Sequence, residues 1–180
     1  MAWAVDPLLQ LAATGLTLIV LARAVTEKAL GYDIFVANLR DYRLLPDAMA
    51  PAAAAALLAT EAAAIVALLL PALLPLGAML AALLLAIYAA AMALALRSGR
   101  REIECGCGGD GQIVGWALVG RNGVLIAIAG SLLLPGSNRV LRWPDMLIGL
   151  LAVLVGALLL AIAEKAIGTS VVIRRLNSNS

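Results

Sequence analysis

Apolar residues in this chain run in long unbroken blocks, and the polar residues collect between the blocks instead of alternating with them. A helix on a soluble core shows an apolar stripe on one face, whereas crossing the hydrocarbon layer of a bilayer takes a block of about 20 residues apolar all round. Five such blocks are present, at roughly 8–30, 51–70, 76–97, 114–134 and 144–163. Prolines mark their edges: Pro51 and Pro71 bracket the second, Pro135 follows the fourth and Pro144 opens the fifth. Proline suits a first helical turn, where its missing N–H would have found no acceptor. The short run from Pro71 to Pro75 predicts a tight turn, so that the second and third blocks form an antiparallel hairpin. The connection 31–50 is longer and mixed. Within it Phe35, Leu39 and Tyr42 recur at helical spacing, which predicts a short interfacial helix lying on the membrane. Residues 169–180 are polar and predict a frayed tail. The pattern predicts an all-α integral membrane protein, with one transmembrane helical domain over residues 1–168.

Composition agrees and removes alternatives. Of 180 residues, 64% are hydrophobic and 13% charged, against about 25% charged in an ordinary soluble domain. The mean hydropathy is +1.03. A net charge of +2 with 4% aromatics, and no basic patch interleaved with aromatics, gives no footprint for nucleic acid. Histidine is absent, which removes the commonest general base and the commonest zinc or haem ligand. The start of the chain carries Asp6-Pro7 where a secretory signal would have basic residues, and its apolar run is too long for one, so the first block is expected to stay as an uncleaved anchor.

The only two cysteines, Cys105 and Cys107, flank Gly106 in the connection between the third and fourth blocks. A disulfide across one residue closes a very small ring, for which Gly106 supplies backbone freedom. Strain of that kind makes a disulfide easier to reduce, and so short a loop adds little stability. Arg97, Arg100 and Arg101 upstream, and the helix start downstream, favour thiolate; Glu102, Glu104 and Asp110 oppose it. Three uses stay open on spacing alone: thiol–disulfide exchange, a soft ion such as Cu(I) held by two thiolates, or inert thiols.

Polar groups inside the blocks are the second signal. Glu61 falls near the centre of the second block, where a lone carboxylate is costly and must be protonated or paired. Arg121, followed by Asn122, lies about two turns into the fourth and is the expected partner. A proton or quinone site and a buried polar clamp explain such a pair equally well. Glu27 and Lys28 close the first block and are expected to reach the interface as anchors. Trp116 reads as an interface residue before it reads as a platform for a cofactor.

Several of these residues together carry a family resemblance. Lys28, the run from Phe35 to Leu39, the run from Tyr42 to Pro46, Glu61, the stretch Arg100 to Gly108 with both cysteines, and Arg121-Asn122 resemble the methylamine utilisation protein MauE family, over roughly residues 8–134. The resemblance implies a four-helix membrane bundle of the DoxX-like kind, also similar in layout to vitamin K epoxide reductase and DsbB-type oxidases, with the fifth block as an addition. It implies that Cys105 and Cys107 are the reaction centre and that a thioredoxin-like, MauD-like partner is oxidised there. The client would be the disulfide-rich small subunit of methylamine dehydrogenase. A quinone would accept the electrons, with Arg121, Asn122, Glu61 and Trp116 as candidates for contacting it or for tuning the centre. Oxidases of that layout usually carry a second, shuttle pair of cysteines. This chain has none, so a partner must meet Cys105 and Cys107 directly or bring the shuttle. A non-catalytic membrane anchor for the thioredoxin-like protein, and a DoxX-like subunit of a quinone oxidoreductase, are the alternatives.

Charge and chemistry disagree about orientation. With five crossings the cysteine connection shares a side with residues 31–50 and the C-terminal tail. That side holds nine Lys and Arg, from Lys28 to Arg175, against Arg139 and Arg142 on the other. The positive-inside rule puts the cysteines in the cytoplasm. Disulfide formation, and the family resemblance, put them on the outer face of a bacterial plasma membrane, where oxidised thiols persist; the second placement is the expectation adopted here.

Overall fold

The computed structural model describes residues 5–99, 115–137 and 139–178. Cys105 and Cys107 lie outside the described residues. Helix α1 (Pro7–Leu30) starts at a cap the sequence supplies: the Asp6 carboxylate accepts from the Leu8 N–H at 2.8 Å, and Pro7 takes the first turn. Thr14, Thr17 and Thr26 donate their hydroxyls to the carbonyls four residues back, at 2.7–2.8 Å, which removes unpaired donors from an apolar setting. Gly31 ends the helix, its N–H donating to the Glu27 carbonyl.

Helix α2 (Tyr32–Asp41) is the short helix expected in the first connection. Part of its apolar side packs on protein: Phe35 and Val36 form a buried cluster with Ala50 and Ala54 of the next helix, with Leu39 packed against it, while Ile34 stays exposed. Arg43 takes a left-handed conformation at φ 48°, turning the chain into a short 3₁₀ turn at Asp47–Met49. Helix α3 (Ala50–Leu69) and helix α4 (Leu74–Arg97) form the expected hairpin across a second 3₁₀ turn, Pro71–Leu73. The hairpin closes tightly because small residues line the seam. Ala64, Ala78 and Ala81 are fully buried, and a Cβ on Gly77 would lie 2.6 Å from the Leu68 backbone nitrogen.

Helix α5 (Trp116–Ser131) is shorter than the block that predicted it. Its 16 residues span about 24 Å at 1.5 Å per residue, against about 30 Å for a bilayer core. It runs antiparallel to α4. Leu118 packs with Met92 and Leu96 at one end, and Ala129 and Leu132 share a buried cluster with Ala78, Ala81 and Leu84 at the other. Helix α6 (Trp143–Ser178) continues helical well past residue 163, through most of the segment expected as a tail.

Among the described residues four helices are long and apolar enough to cross a membrane, namely α1, α3, α4 and α6, and the protein is a multi-pass membrane protein. The central core is drawn from a different four. Leu21 of α1, Ala64 and Leu68 of α3, Ala81 and Leu84 of α4, and Ala129 of α5 pack together. Helix α6 leans on the outside of α1 through close contacts at Gly15, Gly149 and Gly156, and leaves most of its leucines exposed.

The two ends of the bundle differ. At one end a single bridge pairs Val5 with Gly136, and Arg139 ties Asp6 (2.9 Å) to Asp145. The hydrogen bonds it donates to Asp145 and then to Asp6 hold the Arg139 guanidinium above its ordinary pKa. At the other end α4 stops and α5 begins, so the connection that carries the cysteines emerges there.

Candidate functional site

Toward the end of the bundle nearest the cysteine connection, ionisable side chains of α1, α3, α5 and α6 form two clusters. The first joins α1, α3 and α4. The Lys28 ammonium donates to Glu61 Oε1 and, at 3.0 Å, to the Tyr88 hydroxyl oxygen. The Tyr88 hydroxyl donates to the same Glu61 oxygen at 2.6 Å. Lys28 is 2% exposed and Glu61 0%. The rings of Tyr88 and Phe35 flank the ammonium, with centroids 4.2 and 5.2 Å away, so their negative faces add to its stabilisation. The second carboxylate oxygen, Glu61 Oε2, is buried without a hydrogen-bond partner. A buried acceptor left unsatisfied costs roughly 1–3 kcal/mol, and a proton or a hydroxyl donor would relieve it.

The second cluster joins α1, α5 and α6. Glu164 accepts from Arg121 through one oxygen and from Arg23 through the other, the latter at 2.6 Å. Arg23 also donates to Glu27 one turn on, at 2.8 Å. Arg121 reaches the Asn122 side-chain oxygen at 3.3 Å. Two donors here are buried and unpartnered, Arg121 Nε and Asn122 Nδ2.

Two expectations are corrected by this arrangement, and a third set of residues is found dispersed. Glu61 is paired, but with Lys28 and Tyr88 and not with Arg121, whose partner is Glu164. Lys28 is not an interfacial anchor, because the last turn of α1 leans on α3 and carries its ammonium inside; it therefore leaves the count of surface cations on the cysteine side. The four candidate quinone contacts do not share one place: Glu61 is in the first cluster, Arg121 and Asn122 are in the second, and Trp116 is 57% exposed at the start of α5. Tyr88 and Glu164 belong to the clusters and were not singled out from sequence. Tyr88 did leave a signal, since a hydroxyl in the middle of an Ala/Leu block needs a partner.

Beside the first cluster is a cavity of about 440 Å³ between α2, α3 and α4. Its walls are almost wholly apolar and include Phe35, Leu39, Leu57, Leu83, Tyr88 and Met92. Its volume is in the range of small-molecule sites, about 300–1,000 Å³.

The frame that positions these features, from the bridge at Val5 through α5, is the part that a known family shares. The model of the family described as "Methylamine utilisation protein MauE" matches residues 5–135. The chain belongs to the MauE family. A methylamine utilization protein MauE of Paracoccus versutus is 37% identical over 150 residues, covering 82% of this chain and 81% of that protein. The stretch matched by the family model contains the central core and Lys28, Glu61, Tyr88, Arg121 and Asn122, while the match to the Paracoccus versutus protein is longer and reaches into α6. No solved structure matches the chain.

Proposed function

We propose that this MauE-family protein serves methylamine utilisation as a membrane thiol–disulfide oxidoreductase, with Cys105 and Cys107 as its reaction centre. The observation that carries this is the chain's sole cysteine pair, one residue apart, in the connection between α4 and α5 of a MauE frame. In the proposed cycle a thiolate of a thioredoxin-like, MauD-like partner attacks the Cys105–Cys107 disulfide. A mixed disulfide forms, the partner's second thiolate resolves it, and the partner leaves oxidised while Cys105 and Cys107 leave as two thiols. The partner then oxidises its client, the methylamine dehydrogenase small subunit. A bound quinone would supply the acceptor for the two electrons and two protons that return the pair to the disulfide. The apolar cavity, with Tyr88 in its wall, suits such a ring. The bundle is proposed to be DoxX-like or vitamin K epoxide reductase-like, with α5 and α6 both crossing a bacterial plasma membrane and the cysteines on its outer face.

Cys105→Ser and Cys107→Ser are each expected to abolish client oxidation while the protein still accumulates in the membrane. The single variants are also expected to form a mixed disulfide with the oxidised partner, the remaining thiolate attacking the partner's disulfide and releasing its second thiolate. Normal client maturation in both variants refutes the oxidoreductase and leaves a membrane anchor for the thioredoxin-like protein. A membrane-impermeant thiol reagent on intact, reduced cells tests orientation: labelling is expected, and labelling only after lysis reverses the assignment.

A further inference from the structure

We propose that the cavity between α2, α3 and α4 is where this protein binds a lipid-soluble quinone, with Tyr88 as the ring's hydrogen-bond contact and Lys28–Glu61 as the pair that positions Tyr88; this rests on the redox reading above. Residues 121–122 and Trp116, the other candidates from sequence, do not line it. Four observations select the cavity. Its walls are apolar, so it takes an uncharged apolar body, and its volume of about 440 Å³ leaves room for a substituted ring and the first part of a tail. Leu83 and Ile87 line it and are also exposed on α4, so it opens sideways toward lipid, the route such a molecule must use. Tyr88 lines it and is hydrogen-bonded to both members of the buried ion pair. Lys28 holds Glu61 without help from Tyr88, so the Tyr88 O–H can turn to a ligand carbonyl without leaving the carboxylate unpaired.

The fourth observation is position. Met92 lines the cavity and lies five residues before the end of α4 at Arg97. At 1.5 Å per residue that is about 8 Å along the axis from the point where the cysteine connection leaves the helix. Glu61 Oε2 adds an independent sign: it is a fully buried acceptor with no partner, one side chain behind the Tyr88 wall.

A photoreactive azido-quinone in membrane vesicles containing the full-length protein tests the site. The expected result is saturable labelling of peptides from α2, α3 and α4, displaced by excess unlabelled quinone. Labelling should fall about tenfold in Ala56→Phe, which fills the cavity, and about fivefold in Tyr88→Phe. Displaceable labelling of residues 116–122 instead overturns the proposal, as does labelling that excess quinone does not displace, which is what a groove for lipid acyl chains gives. Absence of any labelling also overturns it. The Cys105→Ser/Cys107→Ser double variant separates the two claims. Displaceable labelling retained there, with client oxidation unaffected by losing the cysteines, keeps the quinone site and sinks the thiol mechanism. Cysteine-dependent oxidation with no displaceable labelling of the cavity does the reverse.

Discussion

The two charged clusters use similar residues and are built in opposite ways. Lys28, Glu61 and Tyr88 close on one another deep between α1, α3 and α4, with both charges out of contact with solvent. Arg121 and Glu164 are nearly buried as well, but their cluster runs out to Arg23, whose side chain is 44% exposed, and Glu164 bridges two cations. A closed pair cannot lose one member cheaply, because the other is left charged in an apolar setting. A rim network can, because the survivor has a second partner or water. The closed cluster is thus suited to holding one fixed geometry beside the cavity. The open one ties α6, which begins beyond the stretch the family model matches, onto the rest of the bundle.

That contrast can be broken by removing single members and measuring thermal unfolding of the purified protein in detergent. The largest loss is expected for Glu61→Ala, about 3–5 kcal/mol, the typical cost of stranding one member of a buried pair. The double variant Lys28→Met/Glu61→Leu should recover most of it, since an apolar pair of similar volume removes the stranded charge. Equal loss in the single and double variants would mean that packing, and not charge, sets the cost. Arg121→Ala should cost less, about 2 kcal/mol, in the range of hydrogen bonds to charged groups, because Glu164 keeps Arg23. An Arg121→Ala loss as large as that of Glu61→Ala would erase the distinction between the clusters. The smallest effect is expected for Arg23→Ala, at most about 0.5 kcal/mol and shrinking as salt is raised, since the side chain is exposed. A salt-independent loss above that of Arg121→Ala would place Arg23 in the core of the network.

Much of the frame was legible in the sequence. Apolar blocks, proline edges and the Asp6-Pro7 cap act locally, within one helix or turn, so helix positions and the Pro71–Pro75 hairpin follow from nearest neighbours along the chain. The cysteine pair was legible for the same reason, being a spacing of two residues in a connection. The family could be recognised because its signature residues keep their order along the chain. The lengths of α5 and α6 were less legible, because where a helix stops in a membrane protein depends on what its last turn packs against.

The candidate site depended on the third dimension. The cost of placing Glu61 in an apolar block is a property of the residue and its neighbours, and it announces that a partner exists. It does not say which cation supplies it. Lys28, 33 positions away, was chosen over Arg121 by the lean of α1 on α3, which small residues and helix crossing determine jointly. The same packing turned the apolar side of α2 onto α3 and left the cavity beside Tyr88. Sequence alone determined that this chain lives in a bilayer, carries one thiol pair and must compensate buried charge. The tertiary structure decided which charges meet and where an apolar ligand fits, because contacts between helices are fixed by shape across the bundle and not by order along the chain.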